Sequence, residues 1–185
     1  MKCLLPAQLL FFLLFSLTSF AQNDISSFNI LTSDPEKSII RNTETSVNHK
    51  TLLAAMRASD MEEMLSYDGP YTVFAPSDMA FEKLTDINIA ELLDPKNKKK
   101  LHQVLSYHIV AGYLSAAKIL RAMCRGEGKA VFTTVQGDNI IATMSGIDII
   151  LTDTHGNTAK IITADSNQCN GVIHEIDSVI LPKKI

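Results

Sequence analysis

The side chains able to do chemistry are few, and their spacing argues against using them together. The histidines, His49, His102, His108, His155 and His174, are scattered, and His174-Glu175 lacks the second histidine of a zinc-protease helix because Ser178 stands there. No G-x-S-x-G elbow presents a nucleophilic serine, so Ser77, His108 and Asp177 form no recognisable triad. Gly126-Glu127-Gly128-Lys129 has the composition of a phosphate loop, but it precedes a strand pattern, whereas phosphate cradles lie between a strand and a helix. These patterns point to a protein that is not an enzyme, with no metal site and no cofactor.

Ser77 and Asp78 have a simpler explanation in the element they open. Thr72, Val73 and Phe74 are strand formers, Pro76 cannot continue a central ladder, and Ser77 has the hydroxyl of a helix N-cap. Asp78 then falls in the first turn, where a carboxylate opposes the positive end of the helix dipole, and Ala80, Phe81 and Leu84 make an apolar face. The run 71–81 is a strand, turn and capped helix in sequence.

Around it, helical spacing appears at Leu52, Leu53 and Met56 and at Met61, Met64 and Leu65, with Asp60 and Glu63 spaced as a capping box. Asp94-Pro95 reads as N-cap and first residue of a helix burying Leu101, Val104, Leu105 and His108 and exposing Lys96, Lys98, Lys99 and Lys100. Ser115 caps a further helix carrying Ile119, Leu120 and Met123. Beyond Gly128 the period becomes strand-like at 130–135, 139–144, 147–152 and 158–164, with Gly-containing turns between. Asn170-Gly171 is a turn before a last strand holding Val172, His174 and Ile176, and a bulge near Asp177-Ser178 is expected to shift the apolar row to Val179 and Leu181.

A chain of 185 residues with 46% hydrophobic content suits one globular domain. Lys2, a Leu/Phe run of about 12 residues and Ser19-Phe20-Ala21 describe a secretory signal at 1–21, too short for the roughly 20 residues of a membrane span and cleaved near Ala21. No stable membrane anchor is expected, and the mature protein is read as secreted, either periplasmic or extracellular. A polar tether at 22–34 follows. Loss of Lys2 changes 17 basic against 20 acidic residues to 16 against 20, a net charge of −4, which argues against nucleic acid as partner. Export leaves Cys124 and Cys169 as a possible disulfide, closing a loop of about 46 residues and contributing roughly 4 kcal/mol.

Three separated pieces, at 72–81, 105–112 (LSYHIVAG) and 170–182 (NGVIHEIDSVILP), together resemble the fasciclin domain family, over a domain at 35–183. The resemblance implies an α+β fold: a wedge of two packed β-sheets, partly barrel-like, with several helices along one side. It also implies a secreted or cell-surface adhesion role, and the single domain is similar to secreted bacterial members. In animal members a Tyr-His pair and an Asp-Ile pair are implicated in integrin binding. The first maps onto Tyr107 and His108; the second maps onto Asp165 and Ser166, where the aliphatic residue is missing.

Two readings of Tyr107 and His108 stand side by side. The periodicity turns His108 into the core, where an imidazole needs a hydrogen-bond partner and would organise the junction between helix and strand, as His174 would from the last strand. The resemblance makes Tyr107, His108 and Asp165 candidates for partner binding. The function that follows is noncovalent recognition of a surface protein, glycan or matrix component, the alternative being a periplasmic module that holds a small or oligomeric ligand in a cleft.

Overall fold

The computed structural model describes residues 34–85 and 88–184. The signal expected at 1–21 and, Asp34 excepted, the tether expected at 22–34 lie outside the described residues. Helices come first along the chain: α1 Ile39–Thr45, α2 Lys50–Ala58, α3 Glu62–Tyr67, α4 Asp78–Glu82, α5 Ile89–Leu92, a 3-10 turn Pro95–Asn97, α6 Lys98–Tyr107 and α7 Ala116–Arg125. The strands are β1 Tyr71–Pro76, β2 Ile109–Ala111, β3 Lys129–Thr133, β4 Asn139–Ser145, β5 Asp148–Thr152, β6 Thr158–Gln168 and β7 Gly171–Ile176.

The strands form one seven-stranded sheet in the order β2-β1-β7-β6-β5-β4-β3. From β3 to β7 it is an antiparallel meander, as the strand period predicts, while β1 is inserted parallel to β7 and antiparallel to β2. A bridge between Val110 and Thr134 brings the two edges together, and the Val135 N–H donates to the Ile109 carbonyl at 2.8 Å. The sheet is therefore nearly closed into a barrel, which leaves few strand edges unpaired.

Strands β1 and β7 form a wall with two buried faces, because successive side chains of a strand point to opposite sides. Val73, Ala75 and Ile173 face the helical layer and pack in one core with Ile39, Leu52, Met56, Leu65 and Leu105. Phe74 and Ile176 face the barrel and pack in a second core with Tyr107, Ile119, Ile140, Leu151 and Ile180. Every residue of β7 is buried, so it reads as an unbroken buried run.

Pro76 ends β1 at a level where β2 no longer pairs with it, so its missing N–H breaks no ladder. Four sequence expectations are corrected. The bulge lies in β6, where the register shifts between Ile161 and Ser166, and not at Asp177-Ser178; β7 stops at Ile176. Asp60 has φ 57° and caps nothing, so Met61 precedes α3 without a side-chain cap. Asp94 caps the 3-10 turn Pro95–Asn97, and α6 opens after Asn97 with no side-chain cap of its own. Finally, Cys124 and Cys169 are free, exposed thiols, one near the end of α7 and the other in the turn from β6 to β7. Neither is drawn into the core from which a buried bridge could be built.

Candidate functional site

The run 71–81 works as a clamp. Ser77 Oγ accepts from the Ala80 N–H, as an N-cap should. Asp78 does more than oppose the dipole of its own short helix. Its carboxylate reaches across to accept from the N–H groups of Thr51 at 2.8 Å and Lys50 at 3.3 Å, while its own N–H donates to the Asn48 carbonyl. Partial desolvation would raise its pKa, but the Thr51 and Lys50 hydrogen bonds win and hold it below the ordinary carboxylate value. The chain thus uses Asp78 as the cap of α2, a helix that begins 28 residues earlier in sequence.

Asn170 and Gly171 close the other end of the wall. Asn170 Oδ1 accepts from the Ile39 N–H at the start of α1, and its amide donates to the Leu65 and Asp68 carbonyls at the end of α3. The Asn170 carbonyl accepts from the Tyr71 N–H. A Cβ at Gly171 would sit 2.0 Å from the Tyr71 carbonyl oxygen, so only glycine permits the approach of β1 to β7 there. What sequence reads as a turn is the joint of three elements.

Tyr107 and His108 are 0% and 1% exposed, which corrects the partner-facing reading: neither ring has a surface to offer. Tyr107 Oη donates to the Asn139 carbonyl at 2.8 Å, and burial, with the Asp153 charge adding to it, pushes the phenol up to about 12. His108 Nδ1 donates to the Val104 carbonyl at 2.8 Å and Nε2 accepts from the Ile180 N–H at 3.3 Å. Those partners require the neutral imidazole, and burial lowers its pKa to about 4 against the opposing pull of the Val104 hydrogen bond and Asp153. His174 uses the opposite tautomer: Nε2 donates to the Leu114 carbonyl, Nδ1 accepts from the Asp165 N–H, and the ring stacks on Phe74 at 5.7 Å. Burial lowers its pKa too, against Leu114 and Asp165.

Asp165 is the exposed member of the three partner candidates. It sits at the β6 register shift with φ 58°, a conformation that Asp tolerates better than most residues, and its carboxylate accepts from the Ala116 N–H at the opening of α7. The structure therefore disperses the three: two in the barrel core and one on the rim.

Other groups open to a partner lie elsewhere on the surface. The outer face of the meander pairs Val131 with Ile141, exposed by 60% and 36%, and Ile147 at the β4–β5 tip is 94% exposed. On the helical side, α1, α2 and α3 surround an open basin of about 670 Å³ with Arg41, Glu44, Arg57, Glu62 and Tyr67 on its lining. Sequence reading overlooked the basin because its residues come from three helices; only the Arg41/Glu44 spacing hinted at an ion pair. Among the described residues, no group of three His, Cys, Asp or Glu side chains is placed to hold a metal ion, and no helix is long and apolar enough to cross a membrane.

Comparison with known proteins accounts for this frame. The fasciclin domain family model matches residues 47–182. The chain belongs to the fasciclin domain family. Among curated relatives, the Synechocystis protein sll1483 is 39% identical over 71% of this chain and 66% of its own length. Immunogenic protein MPB70 of Mycobacterium bovis is 33% identical over 62% of this chain and 51% of its own, so the matched region spans only part of both relatives. Among solved structures, a FAS1 domain pair from the insect cell adhesion molecule Fasciclin I superposes with a TM-score of 0.63 at 18% identity, covering 81% of this chain and 52% of that one. The fasciclin domain places its helical clamp, its buried histidines and its β1–β7 wall inside the matched region.

Proposed function

We propose that this fasciclin domain is a secreted or cell-envelope binding module that acts by noncovalent recognition of a surface protein, glycan or matrix component, without catalysis. One observation carries the reading. The barrel interior is filled by Phe74, Tyr107, Ile140 and Leu151, and its buried histidines are committed to backbone partners, so the free polar and apolar chemistry lies on the outside. The adhesion described for the insect molecule that shares the fold supports the same direction. Export through the signal at 1–21, with cleavage near Ala21, belongs to this proposal, as does a partner role for the exposed Asp165.

The test begins with protein recovered from outside the cytoplasm, whose first residue by mass spectrometry should be Gln22. Pull-down from envelope extract and binding to a glycan array should then yield a saturable ligand. An intracellular protein retaining Met1, or no ligand in either format, would sink the proposal. His108→Ala serves as the control for fold: its melting temperature should fall before any binding assay, as a buried architectural residue requires.

A further inference from the structure

The basin on the helical side is lined by planar groups of both signs. Glu44, whose side chain is only 24% exposed, divides its carboxylate between two guanidiniums: Oε2 meets Arg41 Nη1 at 3.1 Å and Oε1 meets Arg57 Nη2. Arg57 Nε then meets Glu62 Oε1 at 3.4 Å, so one chain of ion pairs links α1, α2 and α3. A guanidinium carries five N–H donors, more than these contacts use, and both arginines line the basin. Tyr67 at the end of α3 is 84% exposed, an aromatic ring displayed to solvent next to that polar network.

Charge decides the ligand class. The lining carries Arg41 and Arg57 against Glu44, Asp60, Glu62 and Glu63; Glu44 and Glu62 are paired with the guanidiniums, and Lys98, from outside the lining, pairs with Asp60. A strongly anionic or cationic ligand would have to compete with those existing ion pairs. A neutral polyol matches the lining well. Each hydroxyl both donates and accepts, which calls for carboxylates and guanidiniums side by side, and the C–H face of a sugar ring can lie on an exposed aromatic. The volume lies within the range of small-ligand sites, and its openness to solvent suits a segment of a chain passing through.

We infer that this basin is a subsite for a neutral oligosaccharide, with the Arg41 and Arg57 guanidiniums and neighbouring carboxylates hydrogen-bonding its hydroxyls and the Tyr67 ring stacked on a sugar face. The inference rests on the binding-module reading and names its ligand class.

The full chain should be applied to an array of neutral hexose and N-acetylhexosamine oligosaccharides, and the best binder measured by calorimetry at low and high salt. Saturable binding should change little with salt, because the ligand carries no charge. Tyr67→Ala and Arg41→Ala, both at largely exposed positions, should keep the wild-type melting temperature and each weaken binding roughly tenfold. The assignment is overturned if no neutral glycan binds, if both variants bind as wild type, or if the basin takes a basic peptide with steep salt dependence instead. Adhesion to envelope extract that survives in the double variant would overturn the subsite while leaving the binding-module reading intact.

Discussion

The two faces of the β1–β7 wall keep their buried polar groups in different places. On the helical face the core is largely apolar, formed by Val73, Ile173, Leu52 and Leu105, with polar joints at its ends in Asp78 and Asn170 and one buried imidazole, His49, near the charges of Asp78 and Glu175. On the barrel face two imidazoles lie inside the core, each bonded at both nitrogens and each required to be neutral. Edge joints can be rescued by water when one partner is lost. An interior ring has no such substitute, so the barrel face should be the less forgiving and the more sensitive to acid.

The largest effect should come from Phe74→Ala, which removes a fully buried ring and the stacking partner of His174. A loss of about 4 kcal/mol is expected in urea denaturation, against about 3 kcal/mol for Leu52→Ala on the helical face. A larger loss at Leu52 would break the comparison.

Acid titration should follow in size. The folded pKa of His108 is lowered from 6.5 to about 4, so the unfolded chain binds protons first as pH falls. The His108 contribution is whole above about pH 6.5 and disappears between there and pH 4, with a loss on the order of 3 kcal/mol. His174 acts in the same direction. So does His49 on the helical face, where burial lowers its pKa and the charges of Glu175 and Asp78 oppose the shift. Stability measured from pH 7 to 4 should therefore fall less steeply in His108→Asn than in His49→Gln, each compared with wild type; the reverse order would move the acid sensor to the helical side.

Smaller again is the clamp. Asp78→Ala leaves the N–H groups of Lys50 and Thr51 to solvent and should cost about 1–2 kcal/mol, at or above the cost of about 1 kcal/mol for Ser77→Ala, which affects one short helix. If the two were reversed, Asp78 would be only the first-turn acid that its sequence position suggests. The smallest effect should be that of replacing both Cys124 and Cys169 by serine: within about 0.5 kcal/mol of wild type. Both thiols should react with a thiol reagent in the native protein, and a reducible bridge between them would contradict their free state.

Local elements were legible because their signals are local. Ser77 and Ser115 cap the helices they were expected to cap, whereas Asp94 caps only the 3-10 turn that precedes α6, and the alternating runs after Gly128 became β3 to β6. His108 was legible as an inward-facing residue from helical spacing, although the same positions in the family pattern suggested a surface pair. The bulge was misplaced because an apolar row can be shifted from either strand of a pair, and only the pairing itself reveals that β6 holds the extra residues.

The amino-acid sequence by itself determined the strand-turn-helix run, the β3–β6 meander, the caps at Ser77 and Ser115 and the family, since periodicity and capping act over a few residues. Tertiary structure decided what meets across the chain: β1 parallel to β7, Asp78 on a helix far upstream, Asn170 joining α1 and α3, and three helices bringing Arg41, Arg57 and Tyr67 to one basin. Those contacts depend on packing both faces of one wall at once, a condition that no local stretch of sequence expresses.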